Sequence, residues 1–254
     1  DLKRFVEQER GLPFLEDVQI QTMPSPEFTA RVRAEFDAER DALVEQGKLL
    51  RALGLLPADL DPVEAQLDLL GDGVLGFYDP STGELVVRRD SDGPLFRSVV
   101  VHELTHALDD QHFDLDRPEL DQLGDDAAWA FLALVEGNAR RVENAWLAQL
   151  TSAEQQQLFA DQLALAGGQL SGMLSMPMVL PQILMSPYDY GHPFVERLLV
   201  DGQERLDATF DAPPSSSEQV LDHDVFERGE GPIAVATPPA EGPVITEGVL
   251  GDLM

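Results

Sequence analysis

Val99-Val100-Val101-His102-Glu103-Leu104-Thr105-His106-Ala107-Leu108 is the stretch from which the rest of the chain can be read. Apolar residues at 100, 104, 107 and 108 recur at helical spacing, so a helix with one buried side is expected. His102 and His106 lie one turn apart on a different face, with about 5–6 Å between their Cβ atoms. At that spacing both imidazoles can reach a single ion at about 2.0–2.1 Å. Glu103 projects about 100° round the helix from His102. A carboxylate placed there can take a proton from a water held on the metal. Upstream, Ser91-Asp92-Gly93-Pro94 offers an N-cap and an early proline, which together mark a helix start. The H-E-x-x-H pattern alone should arise by chance in roughly one chain in a hundred of this length. Its context therefore has to carry the reading.

The 254 residues leave room for one large domain or two closely packed subdomains, and 43% hydrophobic residues suit a real core. The net charge of −30 repels nucleic acid and anionic lipid, so a nucleic-acid partner is excluded. It suits a high-salt habitat or a need for solubility, and it could draw in cationic substrates. There is no cysteine, so any zinc must be held by histidine and carboxylate. No apolar run approaches the length of a transmembrane segment. The chain opens at Asp1 on a polar stretch without a signal peptide, and a trimmed, exported protein of the cell envelope or medium is expected. Leu250-Gly251-Asp252-Leu253-Met254 reads as the start of a further element, so truncation at the C-terminus is expected. The oligomeric state is not readable.

Along the chain, residues 1–10 read as a short helix broken by Gly11-Leu12-Pro13, and 18–22 alternate as a strand. One long helix is expected over 27–48 and another over 62–70. Val74 to Tyr78 and Glu84 to Arg88 read as strands joined by Asp79-Pro80-Ser81-Thr82-Gly83, which is strong turn chemistry. Helices are expected over 126–149, with Asp125 as cap, and over 153–166, ended by Gly167-Gly168 and Gly172. Residues 173–191, rich in methionine, proline and tyrosine, read as irregular. Helices follow over 193–201 and 203–210, a turn opens at Ser217, and strand-like fragments fill 229–254. The fold class is α+β and predominantly helical. An α+β subdomain over 1–110 ends in the metal helix, and a mainly helical subdomain over 111–254 carries the third ligand.

A catalytic zinc keeps three protein ligands and an open position. Glu136, thirty residues past His106, is the best partner for His102 and His106. Leu132, Ala133 and Ala139, its neighbours at helical spacing, are apolar or small, so a partly buried carboxylate is expected there, and such a group needs a counter-charge. The neighbouring Gly137 costs helix stability, which makes sense where two helices approach closely. An ion pair to Arg140 is the alternative for Glu136, and His112 is the competing third ligand. Asp109 is a plausible partner for the outer nitrogen of a ligand histidine.

This pattern resembles the gluzincin group of zinc peptidases, which use two helix histidines and a downstream glutamate. It is more similar still to uncharacterised bacterial and archaeal metallopeptidase-like proteins. The shared segments are Gly76-Phe77-Tyr78-Asp79-Pro80-Ser81-Thr82, His102 to Leu108, Val135 to Ala139, and Pro213 to Gln219. The resemblance spans about 76–220 and departs at Asp222-His223, where those proteins often carry a histidine-proline pair. It implies a zincin-like fold, with a small N-terminal sheet and an active-site helix packed on a helical C-terminal subdomain. It also implies Zn2+ on His102, His106 and Glu136, with Glu103 as general base.

Peptide hydrolysis also needs a donor for the oxyanion. Tyr188 is preferred, with Tyr190, His192 and His223 left open. The strand Glu84 to Arg88 is expected to be an edge, either binding substrate backbone or guarded by Arg88 and Arg89. Glu218 is read as a bracing or capping residue. The expected activity is that of a zinc-dependent peptidase acting on a peptide or protein substrate. The alternatives are a catalytically weak zincin-fold protein serving binding or envelope assembly, and a metal-free helical interaction protein.

Overall fold

The computed structural model describes residues 1–233 apart from 39, 71, 72, 90, 91 and 122–124, and residues 235, 236, 239, 242, 244 and 251 beyond them. The described residues are predominantly helical, with one three-stranded sheet, so the class is α+β. The chain divides into two units. One joins Asp1–His112 to Val142–Leu184, and the other joins Phe113–Arg141 to Met185–Met254.

In the first unit, α1 (Leu2–Arg10) stops at Gly11, whose φ of 68° a side chain would disfavour. The strands are β1 (Ile20–Met23), β2 (Gly76–Asp79) and β3 (Glu84–Arg88), in the order β1-β3-β2. The β2–β3 hairpin is the one its turn residues predict. The Asp79 carboxylate accepts bonds from the Ser81 amide at 2.9 Å, the Ser81 hydroxyl at 2.7 Å and the Thr82 hydroxyl at 2.7 Å. The edge expected at Glu84 to Arg88 is corrected: β3 is the central strand, because β1 pairs parallel to it with Ile20 opposite Leu85. Leu85, Val86 and Val87 are fully buried as a result. Local sequence shows the hairpin partner but not a parallel partner some sixty residues upstream.

Helices α2 (Ser25–Ala38) and α3 (Arg40–Ala52) stand where one helix was expected, and residue 39 between them lies outside the described residues. α4 (Pro62–Leu70) follows, then α5 (Pro94–Phe113). Val100, Val101, Leu104, Ala107 and Leu108 of α5 pack with Val6, Leu85, Val87, Val142 and Trp146 into one core. Inside this apolar setting the Arg10 Nε donates to the Asp109 carboxylate at 2.6 Å, with both side chains fully buried. The helix expected to end at Gly167 instead runs on as α8 (Ser152–Ser175). Glycine costs a helix only about 1 kcal/mol against alanine, and the flanking leucines, alanines and glutamines are helix formers.

The second unit contains α6 (Pro118–Asp121) and the N-terminal part of α7 (Asp125–Leu147). It also contains the C-terminal part of α9 (Val179–Leu198), a 3-10 turn (Leu199–Asp201), and the short helices α10 (Gln203–Asp211), α11 (Ser217–Leu221) and α12 (His223–Glu227). Its core includes Ala130, Leu134, Phe194, Val195, Leu198 and Phe210. The irregular reading of 173–191 is corrected, since α9 is helical through both Pro187 and Pro193. Each internal proline costs about 3 kcal/mol. Burial of Phe194, Val195 and Leu198 offsets this at about 1.5–3 kcal/mol per side chain. α9 meets α7 at two glycines. A methyl on Gly191 would collide with the Ala133 carbonyl, and one on Gly137 with the Gly191 carbonyl. The close helix approach inferred from Gly137 is thus present. Ser216 caps α11, its hydroxyl accepting from the Gln219 amide. The strand fragments expected over 229–254 are absent among the described residues there, and 245–250 and 252–254 lie outside them. No helix among the described residues is long and apolar enough to cross a membrane.

Removing Arg10 leaves a buried carboxylate without its guanidinium. Arg10→Ala is expected to lose about 3–5 kcal/mol in urea denaturation, and Arg10→Met with Asp109→Leu together to lose less than Arg10→Ala alone. A single-variant loss under about 1 kcal/mol would contradict the buried pair's role.

Candidate metal centre

α5 is built to carry its histidines mid-helix. Pro94 occupies the first helical position, where its missing N–H costs nothing. The expected cap Ser91 lies outside the described residues. Eight residues on, His102 and His106 turn their Nε2 atoms toward each other at 3.1 Å, with ring centroids 4.7 Å apart and planes at 82°. Two nitrogens bound to one tetrahedral ion at 2.0–2.1 Å stand about 3.3 Å apart. The pair is thus spaced for a shared ion.

Glu136 completes the set. One ligand atom each from His102, His106 and Glu136 all lie within 4.8 Å of one another. Two imidazoles and a carboxylate are one of the donor sets of catalytic zinc, so these residues fit a divalent ion. His112 is placed elsewhere, its Nε2 lying 2.8 Å from the Pro13 carbonyl oxygen. Arg140, the alternative partner of Glu136, has its guanidinium 5.9 Å from the centre of the Tyr188 ring.

Two acidic side chains stand on the elements that carry the histidines and the third ligand. The Asp109 carboxylate accepts from Arg10 Nε through Oδ1 at 2.6 Å. Glu143 stands behind His102, with Oε2 3.5 Å from Nδ1. Glu136 and Glu143 are seven residues apart on α7, so they share one face two turns apart. That spacing was a legible signal, and the sequence reading missed it.

Glu103 is only 7% exposed. It packs on the backbone of Gly76 at the start of β2. A Cβ at 76 would lie 3.3 Å from Glu103 Oε1 and 2.7 Å from Val99 Cγ1. Glycine at 76 is therefore a matter of space. Two residues on, the Tyr78 hydroxyl donates to the Asp110 carboxylate at 2.6 Å and ties β2 to α5. Burial, and then this bond, push the Tyr78 phenol above its usual range, so it stays protonated and donating.

The four residues considered as oxyanion donors are spread over the second unit. Tyr188 is half-buried beneath Arg140, four residues along α7 from Glu136. Tyr190 is exposed and meets the Trp129 ring at 6.5 Å. His192 Nε2 lies 3.9 Å from Glu196, and His223 lies 3.4 Å from Glu227 between Phe194 and Phe226. No family model, curated protein or solved structure matches this chain. Function is therefore read from the residues themselves.

If these three groups hold a zinc ion, Glu143→Ala has an expected outcome. The affinity, measured by competition with a fluorescent chelator, falls about 10–100-fold while the far-ultraviolet circular dichroism is kept. Unchanged affinity removes Glu143 from the site.

Proposed function

We propose that the chain is a zinc-dependent peptidase of the gluzincin kind with a zincin-like active-site arrangement. The single observation that carries this is the convergence of His102, His106 and Glu136 within 4.8 Å, with the buried Glu103 following His102 in sequence. A site that only held structure together would not need that carboxylate. His102, His106 and Glu136 hold the ion. When bound, zinc supplies a water of pKa near 7 and polarises the substrate carbonyl.

The chain's own groups do the remaining work. Glu103 takes the proton of the attacking water and gives it to the departing amine nitrogen. Its packing against Gly76 keeps the carboxylate in one place. Glu143, 3.5 Å from His102 Nδ1, favours the ring orientation that keeps Nε2 for the ion. Tyr188 is the proposed hydrogen-bond donor to the developing oxyanion, with the Arg140 guanidinium over its ring favouring the charge that builds there. The substrate is a peptide. β2 is an edge strand of the sheet and begins at Gly76, against Glu103. A peptide added to that edge as a further strand passes beside the base.

Two measurements test this. Glu103→Gln is expected to keep one equivalent of zinc by elemental analysis and to lose about 10²–10⁴-fold in turnover on a broad peptide library. Digestion equal to wild type, or a wild-type protein that binds no divalent ion, would refute the proposal. Tyr188→Phe is expected to lower turnover by about 10²-fold with zinc content unchanged. Equal turnover assigns the oxyanion donor elsewhere.

A further inference from the structure

A cavity of about 390 Å³ opens in the first unit among the start of α5, the sheet and α8. This volume lies in the range of about 300–1,000 Å³ typical of sites for small ligands. Leu75, Leu95, Phe96 and Val99 form one side. Ala164 and Leu165 of α8 form the other, and Arg97 of α5 pairs with Glu154 of α8 at 3.6 Å nearby. The charged members of the lining are Arg88 and Asp161.

The cavity adjoins the catalytic base through shared residues. Val99 stands one turn before Glu103 on α5, and both side chains pack against the backbone of Gly76. Leu75 directly precedes Gly76, and its carbonyl accepts from the Arg88 amide at 2.8 Å. A peptide lying along β2 thus passes Gly76, which touches both Glu103 and the cavity-lining Val99. The lining says what enters. A cationic side chain would meet Arg88 and an anionic one Asp161, so neither charge is favoured. Most of the remaining wall is methylene, methyl and ring.

We propose that this cavity is a specificity subsite that takes a large apolar side chain of a peptide, next to the bond on which Glu103 acts. It rests on the peptidase reading for its substrate, but its binding chemistry can be tested without hydrolysis. Ala164→Trp fills the cavity from α8. Leu163→Trp adds the same ring on the same helix at a position 62% exposed and outside the lining, and so controls for folding and unspecific ring contact.

Saturation-transfer NMR with N-acetylphenylalanine amide should show binding to wild type and Leu163→Trp. Binding should be about tenfold weaker in Ala164→Trp, and N-acetylglycine amide should give no signal. In a peptide-library digest, cleavage beside large apolar residues should fall by about the same factor in Ala164→Trp only. Equal binding of the phenylalanine amide to both variants, or cleavage with no apolar preference, overturns the subsite. Binding that Ala164→Trp abolishes, in a protein that cleaves nothing, supports the cavity's assignment and overturns the peptidase reading instead.

Discussion

Helix α5 has to bury one side in a hydrophobic core while its other side holds two imidazoles and a carboxylate. The buried side uses Val100, Val101, Leu104, Ala107 and Leu108, all at or near zero exposure, against β3 and the residues Val142 and Trp146 of α7. That packing prevents rotation of α5 about its own axis. His102 and His106 therefore keep their Nε2 atoms 3.1 Å apart through the rigidity of the surrounding core. The same packing holds α7. The seating of Val142 and Trp146 also sets where Glu143, between them on α7, stands in the first unit.

Two other features serve this arrangement at some cost in stability. The buried Arg10–Asp109 pair places two desolvated charges on the core side of α5, where an apolar pair would pack as well. It ties α1 to a position three residues past His106. In the second unit, Gly137 and Gly191 give up side chains so that α7 and α9 touch backbone to backbone. Gly137 is the residue after Glu136, so the close contact holds the helix at the point where the carboxylate leaves it.

The −30 charge has a local counterpart. The cations that matter are few and are placed against specific groups: Arg10 on Asp109, Arg31 on Glu84, Arg140 over Tyr188. In a chain so acidic, each such cation lowers a local repulsion as well as making its own contact.

The sequence by itself determined the α5 helix, its two facing histidines, the β2–β3 hairpin and the close approach at Gly137. Each of these depends on residues within a few positions of one another, where helical and strand periodicity and turn chemistry are decisive. It misread α9, whose prolines argue locally against the helix that Phe194, Val195 and Leu198 stabilise by burial. It also misread α8, where glycines lower helix propensity without forbidding the helix. Only the tertiary structure decided that β3 is central, that Asp109 belongs to Arg10, that Glu143 backs His102, and that Gly76 lies against Glu103. Those are pairings between residues tens of positions apart. They are selected by how helices and strands fill a shared core, and no periodicity along the chain encodes that choice.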